Sequence, residues 1–405
     1  MGGNSTDKGR IFAVSTAHLI NDWYMNYIQT LLPFLLAAGL SISKGAFLIS
    51  AFTVTSSLIQ PVFGILADRK NHRWMVYLGT LWMAVFLCLV GVVESYIFLV
   101  FAVSLAGLGN AAFHPQASAM INKASGNRKG FFQAIFMAAG NIGWALTPLL
   151  AVPFIQAFGL GLTPLLVLPG VLVALLLWII VPGDTEGSAG AVVPEGMGTV
   201  GETGVADNAV EGTGETAPLL WAEIVKVWRD LVKIMLVISC RSTSFFGLVT
   251  LLPVYLLENG VSHLAGSRLL FLMLFSGALG GLIGGFLSDI FGRRYIIAGS
   301  LLIAGPMFYL FINSSGVMSY VFLALAGCCL LASFSVTVVA TQDILKDNAA
   351  MAAGLMLGFG MGVGGMSVGL IGVLAEQKGV DFAVHVLIVL PLLAGMFALR
   401  LRKGS

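Results

Sequence analysis

Charge is scarce in this chain. Asp, Glu, Lys and Arg make up 10% of its 405 residues, too few to coat a water-soluble domain of that size. With 21 basic residues against 19 acidic ones, there is no excess of one sign for nucleic acid to meet. Cysteine is equally sparse. Cys88, Cys240, Cys328 and Cys329 sit inside apolar stretches without metal-ligand spacing, so they read as small buried hydrophobes. The sequence offers no nucleotide loop, no metal-ligand cluster and no nucleophile with a base at useful spacing. An enzyme is therefore not expected, and neither a cofactor nor a metal is implied. A cleavable signal pattern is missing too, because Met1 to Arg10 leads straight into a long apolar span.

Apolar residues fill the gap, at 58% of positions, and they come in runs. About 20 residues cross a bilayer as a helix. Twelve runs qualify, at 11–39, 45–66, 74–94, 96–121, 130–158, 162–181, 231–258, 265–287, 295–313, 317–341, 350–376 and 381–399. They are too long and too uniformly apolar for barrel strands. The expected fold is an all-α integral membrane protein of twelve transmembrane helices. With both termini cytoplasmic, every basic residue except Lys44, Arg241, Arg268 and Lys378 falls on the cytoplasmic side, as the positive-inside rule requires.

Residues 183–220 break the pattern. Rich in Gly, Ala, Thr and Glu and without apolar periodicity, they read as a flexible acidic cytoplasmic linker between two six-helix bundles, 1–182 and 221–405. From Trp221 to Lys233, apolar and charged residues interleave, which suggests a stretch lying along the membrane interface.

The two bundles are copies. Thr30-Leu31-Leu32-Pro33 returns as Thr250-Leu251-Leu252-Pro253, an offset of 253 − 33 = 220. Ser95-Tyr96-Ile97-Phe98-Leu99 returns as Ser319-Tyr320-Val321-Phe322-Leu323, an offset of 319 − 95 = 224. Between these matches a loop recurs. Gly64, Asp68, Arg69 and Arg73 in the first copy answer to Gly285, Asp289 and Arg293 in the second. Matches in one order with a slowly drifting offset indicate duplication. In the loop, glycine lets helices approach, the carboxylate can cap a neighbouring helix N-terminus, and arginine can pair with acids or lipid phosphate. Both copies are candidate gating elements.

Twelve spans, a doubled six-helix unit and this doubled loop resemble the major facilitator superfamily. More narrowly, the chain resembles its fosmidomycin-resistance branch. That resemblance is carried by Ala17-His18-Leu19-Ile20-Asn21-Asp22, by Ala112-Phe113-His114-Pro115-Gln116-Ala117-Ser118, by Gly140-Asn141-Ile142-Gly143 and by Gly292-Arg293-Arg294-Tyr295. It implies a secondary transporter of the inner membrane, working as a monomer by alternating access. It also implies a basic residue at the position of Arg241. One departure is plain: where the branch usually carries Glu after the His-Pro of the fourth span, this chain has Gln116, an amide that cannot titrate.

An ionisable side chain at a helix centre costs about 2.5–3.5 kcal/mol or more, so each one needs a partner or a wet cavity. His18, Asn21, Asp22 and Gln29 share one face of the first span, where a helix–helix hydrogen-bond cluster competes with a ligand site. His114 and Gln116 lie in the fourth span, with Asn110 one turn earlier. His114 stands about nine residues before Lys123, and Asp22 about twelve after Arg10, so at ~1.5 Å per residue the two could meet. Arg241 maps to 241 − 220 = 21, which sets it level with Asp22 across the interface. It is either an anchor for an anionic substrate or a fixed counter-ion to Asp22. The candidate substrate and proton site is therefore His18, Asn21, Asp22, His114, Gln116, Asn141 and Arg241. Gly354, Gly358 and Gly362, with Gly360 and Gly364, form a small-residue face for close packing in the eleventh span. Asp343, beside Gln342, is a gate or an interfacial cap.

The expected activity is proton-coupled efflux of a small anionic or amphipathic compound, such as an antibiotic. A metabolite importer or facilitator on the same scaffold is the alternative, and a non-transporting sensor is disfavoured by the lack of a large soluble domain.

Overall fold

The computed structural model describes residues 6–69, 72–126, 128–181, 216–344 and 349–401. Among them are thirteen α-helices and no strand. The first half contains α1 (Lys8–Met25), α2 (Tyr27–Ala37), α3 (Ile42–Arg69), α4 (Trp74–Cys88), α5 (Tyr96–Ala124), α6 (Lys129–Phe158) and α7 (Leu168–Ile180). The second contains α8 (Thr216–Glu258), α9 (His263–Phe291), α10 (Arg293–Ile312), α11 (Val317–Ile344), α12 (Ala349–Lys378) and α13 (Val380–Ala398). Eleven helical segments are long and apolar enough to cross a membrane. The twelfth crossing is α1 and α2 together.

Three boundaries differ from expectation. The first span is not one helix, because Asn26 leaves α geometry (φ −92°, ψ 6°) between α1 and α2. Buried there, its side-chain amide donates to the Trp144 carbonyl at 3.2 Å, and its backbone carbonyl accepts from the Thr30 hydroxyl at 2.8 Å, while Oδ1 is buried without a hydrogen-bond partner. The sixth span enters through a 3₁₀ segment, Leu160–Val167, that contains Pro164. Most of the expected linker lies outside the described residues, but its last five positions belong to α8. Trp221 to Lys233 is likewise continuous with α8, not a separate interfacial element. At ~1.5 Å per residue this helix is about 65 Å long, twice the ~30 Å hydrocarbon core, so it projects beyond the bilayer.

The duplication is visible in the packing. In the first half α1 packs on α6, and α5 on both α3 and α4; in the second, α8 packs on α12, and α11 on both α9 and α10. Those are the same pairs, one repeat apart. The halves meet along two seams, α3 with α12 and α6 with α9.

Both seams are tight at the end remote from the start of α1. There the Ser43 N–H donates to Glu376 Oε2 at 2.9 Å, and the Ser50 hydroxyl donates to the Gly365 carbonyl at 2.6 Å. Phe34 and His263 stack across the interface with centroids 4.3 Å apart. The repeat-related Pro33 and Pro253 line one small cavity at this end. Deeper in, Trp144 of α6 meets Phe245 of α8 edge-on at 5.3 Å. Beyond that aromatic contact, towards the start of α1, Gly64, Gly358 and Gly362 face open space.

The glycine face of α12 is the expected one only in part. Gly360 and Gly364 face α8 as expected, a β-carbon at Gly358 or Gly362 would meet open space, the surroundings of Gly354 lie outside the described residues, and Gly365, Gly369 and Gly372 face α3. A β-carbon at Gly365 would lie 2.5 Å from Thr53. Which glycines pack is decided by where two partner helices lie, and spacing within one helix does not carry that information.

Candidate functional site

Residues 18, 21 and 22 occupy adjoining positions on α1, yet the fold sends them into two assemblies. Asn21 is fully buried in a chain of hydrogen bonds. The Thr80 hydroxyl donates to Asn21 Oδ1 at 3.2 Å, Asn21 Nδ2 to Asn110 Oδ1 at 2.8 Å, and Asn110 Nδ2 to the Ser56 hydroxyl at 2.6 Å. Four helices are tied together without any charge.

His18, Asp22 and His114 form the second assembly. His18 Nε2 lies 3.2 Å from Asp22 Oδ2, and His114 Nε2 lies 3.6 Å from Asp22 Oδ1. The two imidazoles sit edge to face at 5.2 Å, so the expected meeting of first and fourth spans takes place. His18 is 2% exposed, stacked at 3.9 Å on Phe136 and 2.6 Å through Nδ1 from the Phe136 carbonyl oxygen. A carbonyl only accepts, so Nδ1 carries a hydrogen. Nε2 then faces a carboxylate oxygen. Two lone pairs would repel there, so one proton lies between His18 and Asp22, whichever of them formally owns it. The pair is thus a candidate to hold one proton in the first half. Asn21 Nδ2 also approaches Asp22 Oδ1 at 3.3 Å.

Gly140 of α6 closes this assembly. A β-carbon there would lie 2.5 Å from both Asp22 Oδ2 and His18 Cε1, so only glycine fits against the pair. Gly143, one turn on, rests against the Leu19 backbone, and a β-carbon would collide with the Leu19 carbonyl. Asn141 is exposed beside Gly140, shares no hydrogen bond with the assembly and does not complete it. Gln116 is buried in α5, two residues past His114.

Arg241 stands in α8 with 3% exposure. Its Nη2 donates to the Ser242 hydroxyl at 3.3 Å, and its guanidinium lies over the Phe334 ring at 4.8 Å. Nε is buried without a hydrogen-bond partner. Among the described residues no carboxylate pairs with it, so the counter-ion role towards Asp22 is not what the geometry contains. Asp22 is engaged by its own half: both oxygens face histidines.

The doubled loop is partly described. Asp68 and Arg69 end α3, and their side chains lie outside the described residues. Arg73 donates to the Val181 carbonyl at 3.0 Å, at the C-terminus of α7. In the second copy Gly285 lies against Ser335 of α11, and Arg293 forms an ion pair with Asp343. Asp343 is therefore an ion-pair partner that ties α11 to the start of α10. Any capping by Asp68 lies outside the described residues, while at the start of α10 no side-chain cap is present at Gly292. Glycine at residue 292 (φ 89°) makes the turn into α10 instead.

The sequence match agrees with the helix map. The family model described as Major Facilitator Superfamily matches residues 14–369 and, in a second alignment, 234–404. The chain belongs to the major facilitator superfamily. Among its relatives, the facilitator is 29% identical over 391 residues to the fosmidomycin resistance protein of Escherichia coli (strain K12), covering 96% of this chain and 91% of that one. It is 27% identical over 388 residues to the uncharacterized MFS-type transporter YfnC of Bacillus subtilis (strain 168), covering 95% and 90%. In fold it matches a bacterial homologue of the human lysosomal transporter Spinster, solved inward-facing and unoccupied. There the TM-score is 0.76 at 17% identity, over 98% of this chain and 97% of that one. The facilitator is thus a multi-pass membrane transporter and not an enzyme.

Several residues of the facilitator's site were invisible to spacing. Phe136, Thr80 and Ser56 sit far from the polar motifs in sequence. Phe334 was reachable in principle, since 334 − 224 = 110 makes it the repeat partner of Asn110. The expectation of no metal-ligand cluster also needs correcting. His18, Asp22 and His114 bring one ligand atom each to within 4.8 Å of one another, across 114 − 22 = 92 residues of chain.

Proposed function

We propose that this facilitator is a proton-coupled antiporter exporting a small anionic or amphipathic compound by alternating access. The observation that carries the reading is the pairing of a one-proton site with a buried cation that has no carboxylate partner. His18, Asp22 and His114 hold the proton in the first half, and Arg241 waits in the second. Both lie one helical turn from the Trp144–Phe245 contact, at positions 140 and 241 of the same two helices, on the open side of that contact. Asp22 and His114 keep 13% and 19% side-chain exposure, enough for a proton or a ligand to reach them.

Arg241 would hold an anionic group through its planar fork, with the Phe334 ring fixing the guanidinium plane. Halves joined at one end and parted at the other are the natural starting point for rocking about this layer. By the positive-inside rule the open end faces the cytoplasm of a bacterial inner membrane, since Lys8, Arg10, Lys123 and Arg128 lie there. Each chain carries a whole cleft, so a monomer suffices. The resistance-named relative supports outward transport.

A second reading has an observation of its own. An anion on Arg241 and a proton on Asp22 attract each other, which favours carrying both in one direction, as an importer would. The sign of the gradient response separates the two. In proteoliposomes of the wild-type protein, an acidic lumen should drive uptake of the cargo if it exchanges for protons. Uptake driven by an acidic exterior would make the protein a symporter, and flux indifferent to pH would make it an uncoupled uniporter. A panel of phosphonate and carboxylate antibiotics and organic anions supplies the candidate cargoes.

A further inference from the structure

We infer that the His18–Asp22–His114 cluster is also a binding site for a divalent transition-metal ion of the zinc class, held by the two Nε2 atoms and one Asp22 oxygen. Zinc bound to nitrogen and carboxylate oxygen at about 2.0–2.2 Å in a tetrahedron needs donors roughly 3.3–3.5 Å apart. Here His18 Nε2 lies 3.2 Å from Asp22 Oδ2 and His114 Nε2 lies 3.6 Å from the other oxygen, Oδ1, and with one ligand atom from each residue all three lie within 4.8 Å of one another. Small side-chain shifts close the remaining gap.

Orientation matters more than proximity. Metal-ligating histidines characteristically donate their other ring N–H to a carbonyl or carboxylate, which fixes the tautomer and aims the free lone pair at the metal. His18 does this through Nδ1 to the Phe136 carbonyl at 2.6 Å, and its ring is clamped on the Phe136 face. Asn21 Nδ2 steadies the carboxylate from the side at 3.3 Å. The His18 ring and the Asp22 carboxylate are therefore oriented in advance by the groups behind them, as a metal site requires.

Donor type selects the ion. Two imidazoles and a carboxylate suit Zn(II), Cu(II) or Ni(II), whereas Ca(II) and Mg(II) want more oxygen ligands than the cluster has. No Lys or Arg among the described residues pairs with Asp22. The partial exposure of Asp22 and His114 leaves a fourth position for water and a way in. A metal would take the lone pairs that otherwise share the proton. Inhibition of transport by zinc therefore rests on the proton-coupled reading, whereas binding itself does not.

The test uses the full-length protein, purified in detergent and stripped of metal with a chelator. Calorimetric titration with zinc chloride should find one ion per chain, and cobalt(II) should give the intense visible absorption of a tetrahedral site. Asp22→Asn and His114→Asn should each lose that site, while His72→Gln and His385→Gln keep it. Gly140→Ala retains every ligand but pushes a methyl group against two of them, and affinity should fall by about 10–100-fold, as for a disturbed outer shell. Failure of the wild-type protein to take up zinc or cobalt overturns the proposal without reference to any variant. So does binding of unchanged stoichiometry and affinity in both Asp22→Asn and His114→Asn. If zinc binds the cluster but leaves pH-driven flux untouched, the metal site stands and the proton reading of the same residues falls.

Discussion

The two halves are copies in backbone and opposites in chemistry. At an offset of 220, His18 becomes Ile238, Asp22 becomes Ser242 and Gly140 becomes Gly360. The geometry repeats faithfully: a β-carbon at Gly140 would meet His18 and Asp22, and one at Gly360 would meet Ile238 and Ser242. At the neighbouring layer, Asn21 hydrogen-bonds Asn110 in one half, while in the other Arg241 lies over Phe334. Neighbouring scaffold positions therefore carry the proposed proton site in one half and, opposite Asn21, a cation in the other. The lesson is that duplication conserves where side chains meet, not what they are. Function is written in the positions where the copies disagree.

That comparison can be broken most severely at its charged members. Arg241→Ala removes the buried guanidinium proposed to hold the cargo. Cargo affinity should fall by about 2–5 kcal/mol, a loss of at least tenfold in Kd, with the fold retained because no carboxylate is orphaned. Equilibrium binding to the purified variant checks this, and unchanged affinity would remove Arg241 from the cargo site.

The glycine pair sharpens the comparison. Gly140→Ala forces a methyl to 2.5 Å from Asp22 Oδ2 and His18 Cε1 and should cost about 1–3 kcal/mol in stability. Gly360→Ala places its methyl no closer than 3.2 Å to Ile238 and should cost clearly less. Thermal unfolding of the two variants side by side gives the order, and the reverse order would mean that the pseudo-symmetric packing is misassigned. A smaller effect is expected at Asn110→Ala, which breaks two hydrogen bonds of the uncharged layer. Inside a membrane such bonds average about 0.6 kcal/mol each, so the loss should be modest and proton coupling should persist. Smallest is Glu376→Gln. Its exposed carboxylate accepts from the first turn of α3 across the sealed seam, a solvent-screened charge–dipole contact. Spin-label distances between α3 and α12 should report a slightly greater population open at that end.

Much of this was legible in the sequence, and the failures share a cause. Hydropathy runs located the spans, and the drifting offset located the repeat and the level of Arg241, because both signals are local or periodic. The break at Asn26 was hidden, since a helix and a broken helix have the same apolar composition. The packing glycines of α12 were caught in part: Gly360 and Gly364 do pack, against Ile238 and Phe246 of α8, but Gly365 was missed, because it is chosen by Thr53 on another helix. The partnership of Asp22 was half right: His114 was foreseen from depth, but the Phe136 carbonyl that fixes the His18 tautomer belongs to a third helix. Long-range partners of a buried group are set by helix rotation, which a single sequence does not encode in its spacing.

The central claim is that the first half alone holds the coupling proton. Its most direct test is Asp22→Asn in proteoliposomes, measuring cargo counterflow at equal pH and net flux under an imposed pH gradient. Counterflow should persist through Arg241 while the response to the gradient disappears. A full gradient response in Asp22→Asn would contradict the account.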